Sequence, residues 1–153
     1  MKDTNAIGLC ALPDQSGEVR KFSDIVGEKG VVLYVYPKDN TPGCSVEAAE
    51  FNSLLGDFRH KGYGVVGVSK DSVKSHAKFA EKFTLDFPLW SDSEASLINT
   101  LGAIGDKSMY GKIFKGVKRS TFVLDRAGRI LKSYENVKAA GHAAKVLADL
   151  DSL

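Results

Sequence analysis

Cys44 is the residue in this sequence best placed to do chemistry. It follows Thr41, Pro42 and Gly43 and stands seven residues after Pro37, where a loop gives way to a helical pattern. A helix N-terminus presents unpaired N–H groups and the positive end of the helix dipole. A thiol in that field is driven towards thiolate, the form that attacks an electrophile. Pro42 suits the first helical turn, because the N–H it lacks has no intrahelical partner there. The opposite reading is a small apolar side chain buried at a helix start, as free cysteines often are. Position alone leaves both readings open.

The other chemistry-bearing residues narrow the choice. The chain has two cysteines, Cys10 and Cys44, and three histidines, His60, His76 and His142. None of the histidines stands at metal-ligand spacing from a cysteine, and Cys-x-x-Cys and His-Glu-x-x-His are both absent, so zinc is not expected. Two cysteines do not make a disulfide framework in a chain of 153 residues. Trp90 and the histidines read as packing or surface residues. Lys and Arg together number 21 against 19 Asp and Glu, a net charge of +2. That balance argues against a nucleic-acid partner. The longest purely apolar run, Val31 to Tyr36, is far short of the roughly 20 residues a membrane helix needs. The opening MKDTNAIG lacks a basic stretch followed by an apolar one, so no secretory signal is expected and the cytoplasm is the expected location.

The elements that must position Cys44 can be read from hydrophobic patterning. Two short runs around Asp14-Gln15-Ser16-Gly17 suggest an N-terminal hairpin over residues 9–22. Val31 to Tyr36 is a continuous β-branched and aromatic run, as in a strand buried on both faces. Ligands of open α/β sheets bind near the carboxyl ends of such strands, which is where the loop to Cys44 begins. A helix is expected from Cys44 to about His60, with Val46, Ala49, Leu54 and Phe58 near one face and Glu47, Glu50 and Asp57 left for solvent or polar contacts. Further on, Tyr63–Val68 and Phe87–Trp90 read as strands, and Ser72–Phe83, capped at Asp71 or Ser72, and Ser93–Leu101 as helices. Ser120–Asp125 and Ile130–Tyr134 flank a turn at residues 126–129, and Ala139–Leu150 closes the chain as an amphipathic helix. With no internal repeat or linker, the expectation is one α/β domain over residues 1–153. Its central mixed sheet is flanked by helices, with parallel crossovers and an antiparallel final hairpin.

Pro37-x-x-x-Thr41-x-x-Cys44 resembles the peroxiredoxin active-site motif, and Tyr34 to Phe51 resembles the peroxiredoxin Q subfamily, the bacterioferritin comigratory proteins. Thr41-Pro42-Gly43-Cys44 also looks like a thioredoxin-type Cys-x-x-Cys whose first cysteine has become a hydroxyl. Phe87-Pro88-Leu89, Met109-Tyr110-Gly111-Lys112 and Arg119 to Asp125 agree with the same subfamily, in the same order. The resemblance runs from about residue 8 over nearly the whole chain. It implies a thioredoxin fold and a thiol-dependent peroxidase. The Cys44 thiolate would attack a hydroperoxide, release water or an alcohol, and become a sulfenic acid. No metal or cofactor takes part.

The resemblance also assigns roles. Thr41 would bond the sulfur or the peroxide, Pro37 would shape the shielding loop, and Arg119 would offer its donor fork to two acceptors. Without the resemblance, Arg119 reads as one more solvated residue of the run Lys112, Lys115, Lys118. Glu47 matches a family glutamate and either holds Arg119 in place or simply favours the helix dipole. Some relatives carry a resolving cysteine five residues after the reactive one, others in the following helix. Here those positions are Ala49 and Ala80, so neither internal disulfide can form. Cys10, at a position usually large and apolar, is expected to be a structural thiol. A one-cysteine cycle follows, with an external reductant such as thioredoxin, glutaredoxin or glutathione, in a protein expected to be a monomer without membrane or nucleic-acid partners. The competing reading is a thioredoxin-fold binding or holdase module without turnover. A disulfide oxidoreductase fails for want of Cys-x-x-Cys.

Overall fold

The computed structural model describes residues 7–153, and all that follows concerns them. Residues 1–6, on which much of the expectation of no secretory signal rests, lie outside the described residues. The chain runs β1 (Ala11–Pro13), β2 (Val19–Lys21), α1 (Phe22–Ile25), β3 (Gly30–Val35), α2 (Pro42–Ser53), α3 (Leu55–His60), β4 (Tyr63–Ser69) and α4 (Val73–Phe83). It continues with β5 (Leu89–Ser91), α5 (Ser96–Thr100), β6 (Ile104–Met109), β7 (Lys112–Val117), β8 (Ser120–Asp125), β9 (Ile130–Tyr134) and α6 (His142–Asp149), and closes in a 3-10 turn (Leu150–Ser152).

Five strands form the central sheet in the order β5-β4-β3-β8-β9. β3 pairs in parallel with β4 and antiparallel with β8, and β8 with β9 antiparallel, as the sequence pattern predicts. Every residue of β3 is buried, because the strand sits mid-sheet with a core on each face. Its alternation divides those cores. Val32, Tyr34 and the following Tyr36 point into one with Phe51, Phe58, Phe79 and Val146. Val31, Leu33 and Val35 point into the other with Ile7, Phe22, Trp90, Ile98 and Phe122. Thus α2, α3, α4 and α6 cover one face, and α1 and α5 the other. On the first face Tyr34 stacks on Phe51 with centroids 4.5 Å apart.

Several expected boundaries move for local reasons. The helix expected over 44–60 is two helices broken at Leu54, where the Ser53 hydroxyl and the Leu54 N–H both bond the Glu50 carbonyl. Its buried stripe is Cys44, Glu47, Ala48 and Phe51, continuing through Leu55 and Phe58. Val46 and Ala49, expected inside, are exposed, and Glu47, left for solvent or polar contacts, is fully buried and takes the polar one, with Arg119. The helix expected from Ser93 starts at Ser96, because Ala95 takes a left-handed φ of 60°. The last helix starts at His142 because Gly141 does the same with φ 79°. Ser72 caps α4, accepting from the Ser75 N–H.

The sequence pattern marks no element over residues 104–117. They form the β6–β7 ribbon, closed by a tight turn on Tyr110 and Gly111, both at positive φ, and pair only with each other.

Candidate active site

The site is assembled where β3 ends. The chain leaves the sheet at Tyr36, turns through Pro37–Asn40 and enters α2 with Thr41 as N-cap and Pro42 in the first turn. No side chain caps that end, so the N–H groups of Gly43 and Cys44, which precede the first intrahelical donor, the Ser45 N–H bonded to the Thr41 carbonyl, are left without an intrahelical acceptor. Cys44 is 1% exposed and packs against the aromatic core of the helical face.

Arg119 reaches Cys44 from the start of β8, which lies antiparallel beside β3. Its Nη2 donates to Cys44 Sγ at 3.3 Å and its Nη1 to Glu47 Oε1 at 2.7 Å. One planar fork therefore bridges the sulfur and a carboxylate one helical turn beyond it. Burial opposes the Arg119 charge, but Glu47 and Cys44 outweigh it and lift the guanidinium above its ordinary value. Burial, only partly offset by Arg119, raises the Glu47 carboxyl to about 7. Its Oε2 is buried without a hydrogen-bond partner, which is why ionisation is costly there.

Thr41 differs from expectation. Its hydroxyl donates to the Lys38 carbonyl at 2.9 Å and so braces the loop rather than the sulfur. Pro37 lies in the wall of a cleft of about 550 Å³ that Lys107, Phe114, Gly116 and Val117 of the ribbon also line. Ala80 is nearly buried on α4 and Ala49 is exposed on α2. Cys10 packs against the core on the other face of the sheet from Cys44. Burial, with a contribution from Asp92, pushes its thiol up to about 11.

Two contributors carry no decisive local signal in the sequence. A Cβ on Gly43 would lie 2.9 Å from Arg119 Nη2, so this position must lack a side chain for the guanidinium to come in. The adjacent Pro-Gly-Cys hints at a tight approach, but its target lies 76 positions away in sequence at Arg119. The second is His76, which is no mere packing residue. It is fully buried, with Nδ1 2.7 Å from Asp39 Oδ2 and Nε2 3.0 Å from the Trp90 carbonyl. Asp39 also accepts from the Tyr36 hydroxyl at 2.6 Å and the Ser75 hydroxyl at 2.8 Å, while its N–H donates to Asp71. The ligand atoms of Asp39, Asp71 and His76 fall within 4.8 Å of one another, but hydrogen bonds already close this cluster, and its effect is to tie the Pro37–Thr41 loop to α4. His142, bonded to the Thr121 hydroxyl at 2.8 Å, is held neutral, with burial and then Arg119 and Lys145 bringing it down to about 4.

The chain is similar to known proteins over most of its length. Residues 5–133 match the AhpC/TSA family. The chain is 42% identical over 142 residues to a putative peroxiredoxin bcp of Coxiella burnetii, covering 93% of each. It is 48% identical over 120 residues to peroxiredoxin Bcp of Xanthomonas campestris pv. campestris, covering 78% of this chain and 75% of that one. A solved structure of Xanthomonas campestris peroxiredoxin Q superposes with a TM-score of 0.90 at 40% identity, covering 99% of this chain and 95% of the other. The five-stranded sheet and its helices are accordingly a thioredoxin fold, and the chain belongs to the AhpC/TSA family as a peroxiredoxin of the Bcp, or peroxiredoxin Q, kind.

Proposed function

We propose that this peroxiredoxin reduces hydrogen peroxide and organic hydroperoxides through a sulfenic acid at Cys44, and that an external thiol returns Cys44 to its reduced state. The observation that carries the reading is the Arg119 fork, which spans Cys44 Sγ and Glu47 Oε1. A peroxide entering in line with Sγ moves negative charge from sulfur to the departing oxygen. Donors are needed at both ends of that path. Arg119 already touches the sulfur, and the N–H groups of Gly43 and Cys44 are free of intrahelical partners to meet an oxygen. The Thr41 hydroxyl exchanges its Lys38 acceptor for the peroxide, and Pro37 limits the width of the entrance. The S–O bond forms as the O–O bond breaks, and the released hydroxide or alkoxide takes up a proton.

The one-cysteine part is supported by the place of the second thiol. Cys10 lies across the sheet from Cys44, and a disulfide needs Cα atoms within about 7 Å. Thioredoxin, glutaredoxin and glutathione are the candidate reductants. Two unpaired cysteines suit the cytoplasm, where disulfides are rare. Among the described residues no helix is long and apolar enough to cross a membrane. Two cores on the faces of one sheet support reading the chain as one domain, and we take it to act as a monomer.

The test is peroxide consumption with dithiothreitol as reductant. Cys44→Ser is expected to abolish it and Cys10→Ser to keep it. Intact mass after one equivalent of peroxide should rise by one oxygen. A loss of two hydrogens with a Cys10–Cys44 link would refute the one-cysteine cycle, and turnover surviving Cys44→Ser would refute the whole reading.

A further inference from the structure

The cleft beside Pro37 carries a charge that the peroxide reaction does not use. Lys38, Lys70 and Lys107 all line it, together with the apolar surfaces of Phe114 and Val117. Among the described residues none of these three ammonium groups has a hydrogen bond or an ion pair. Asp71 is the one acid in the lining, and its Oδ2 already accepts from the Asp39 N–H and the Ser69 hydroxyl. Lys107 is the most constrained of the three. Its aliphatic stem crosses Gly116, where a Cβ would come within 2.8 Å of the Lys107 Cδ, so a glycine in β7 lets it lie flat against the ribbon. Burial, and then the neighbouring charges of Arg119 and Lys118, hold its ammonium below the ordinary lysine range, while the Cys44 sulfur works the other way. Lys107 is therefore within electrostatic reach of both reacting-site groups, and the three cations of the lining outnumber its one acid, Asp71.

We propose that this cleft receives the carboxylate of a small anionic thiol and that Lys107 selects such thiols as the reductant of oxidised Cys44. The inference rests on the external-thiol reading above. The thiol's apolar body lies along Phe114 and Val117 while its carboxylate meets Lys107, Lys38 and Lys70. Its thiolate attacks the Cys44 sulfenic sulfur. An S–S bond forms, the S–O bond breaks, and the oxygen leaves as hydroxide, which is protonated to water. A second thiolate then attacks the outer sulfur, releasing the thiol's disulfide and the Cys44 thiolate, so that two thiols are oxidised for each sulfenic acid reduced.

The test starts from protein oxidised with one equivalent of hydrogen peroxide, with the added oxygen verified by mass. Its reduction is timed with 3-mercaptopropionate and with 2-aminoethanethiol in wild type, Lys107→Gln and Lys38→Gln. The ratio of the anionic to the cationic rate constant, taken variant against wild type, cancels the intrinsic reactivity of each thiol. It is expected to fall about tenfold in Lys107→Gln, less in Lys38→Gln, and to shrink in wild type as salt is raised. A fall of less than threefold in Lys107→Gln overturns the proposal. So does an equal loss of preference for a carboxylated alkyl hydroperoxide over its methyl ester, which would give the cleft to the peroxide. Failure of the underlying reading looks different, because Cys44 then gains no oxygen or links to Cys10 before any thiol is added.

Discussion

Arg119 and Glu47 meet through a hydrogen bond of 2.7 Å that joins the start of β8 to the inner face of α2, and the carboxylate has no exposed surface. Glu47 stands one turn after Cys44 on the same buried stripe, so the helix that carries the sulfur also carries the anion that aims the guanidinium at it. Removing one partner would leave the other buried and unpaired. Arg119→Lys keeps the charge but loses the fork, and a single ammonium cannot reproduce both bonds. Its kcat/KM for hydrogen peroxide is expected to fall by about 10²- to 10³-fold, the loss typical of one transition-state donor. Steady-state kinetics with dithiothreitol check this, with melting temperature as the control for folding.

Gly43→Ala tests the approach from the other side. The new methyl would stand 2.9 Å from Arg119 Nη2, closer than carbon and nitrogen tolerate, and the flexible guanidinium is what moves. Activity is expected to drop about 10- to 100-fold while the melting temperature changes little, because displacement by about 1 Å is enough to cost that much. Loss of melting temperature without a drop in specific activity would show that the methyl pushes on the helix instead.

Glu47 and His142 give opposite pH dependences to stability. The folded value of Glu47, about 7, lies above the ordinary 4.5, so its contribution is full at low pH and is lost as pH rises through 7. The folded value of His142, about 4, lies below the ordinary 6.5, so its contribution is full above pH 6.5 and is lost as pH falls through 4. Each is worth about 3 kcal/mol, and between pH 4.5 and 6.5 they offset each other. Denaturant midpoints of wild type should be nearly flat there. Glu47→Gln should gain stability with rising pH over that span and His142→Gln should lose it, and parallel curves would refute the assignment.

Asp39 and His76 offer a test of the loop. Each is fully or almost fully buried, and together with Tyr36 and Ser75 they hold the segment between β3 and α2. Asp39→Ala removes the nearest partner of both the His76 Nδ1 and the Tyr36 hydroxyl and leaves them only their long 3.5 Å contact with each other. It is expected to cost about 3–5 kcal/mol of unfolding free energy, as for a broken buried pair. Hydrogen exchange should speed up at residues 37–41 before it does so in β3.

Cys10 supplies the last expectation. A thiol raised to about 11 is almost wholly protonated at pH 7. Iodoacetamide at neutral pH should therefore alkylate Cys44 first, and peptide mapping after a short exposure should show Cys10 unmodified. Preferential labelling of Cys10 would contradict the assignment.

How far the sequence reveals this arrangement depends on where each signal comes from. β3 is readable because a strand buried on both faces needs apolar residues at every position, and Val31 to Tyr36 supplies them. The β8–β9 hairpin is readable from its turn and the apolar runs on either side. The inner face of α2 is not, because Glu47 lies inside and Val46 outside. A buried carboxylate makes sense only with Arg119, 72 residues away and delivered by the sheet. The β6–β7 ribbon is hidden for a different reason. Lys112 to Lys115 are all exposed, so no alternation of apolar and polar residues marks the strand. Cys44, Thr41, Pro37 and Arg119 stand out through the family motif, whereas Gly43, His76 and Lys107 act through space on groups far along the chain, and local pattern carries no trace of that.

The alternation of β3 has a consequence for how this molecule ages. Residue by residue, the strand hands side chains to two compartments that share a backbone and little else. Cys44 belongs to the helical compartment alone, so oxidative injury there, even the irreversible kind, is expected to spare the packing of the half containing Cys10 and Trp90. A spent molecule should therefore stay folded and soluble, outwardly like a fresh one, and a pool of this protein would record past peroxide exposure as a growing fraction of intact but silent copies.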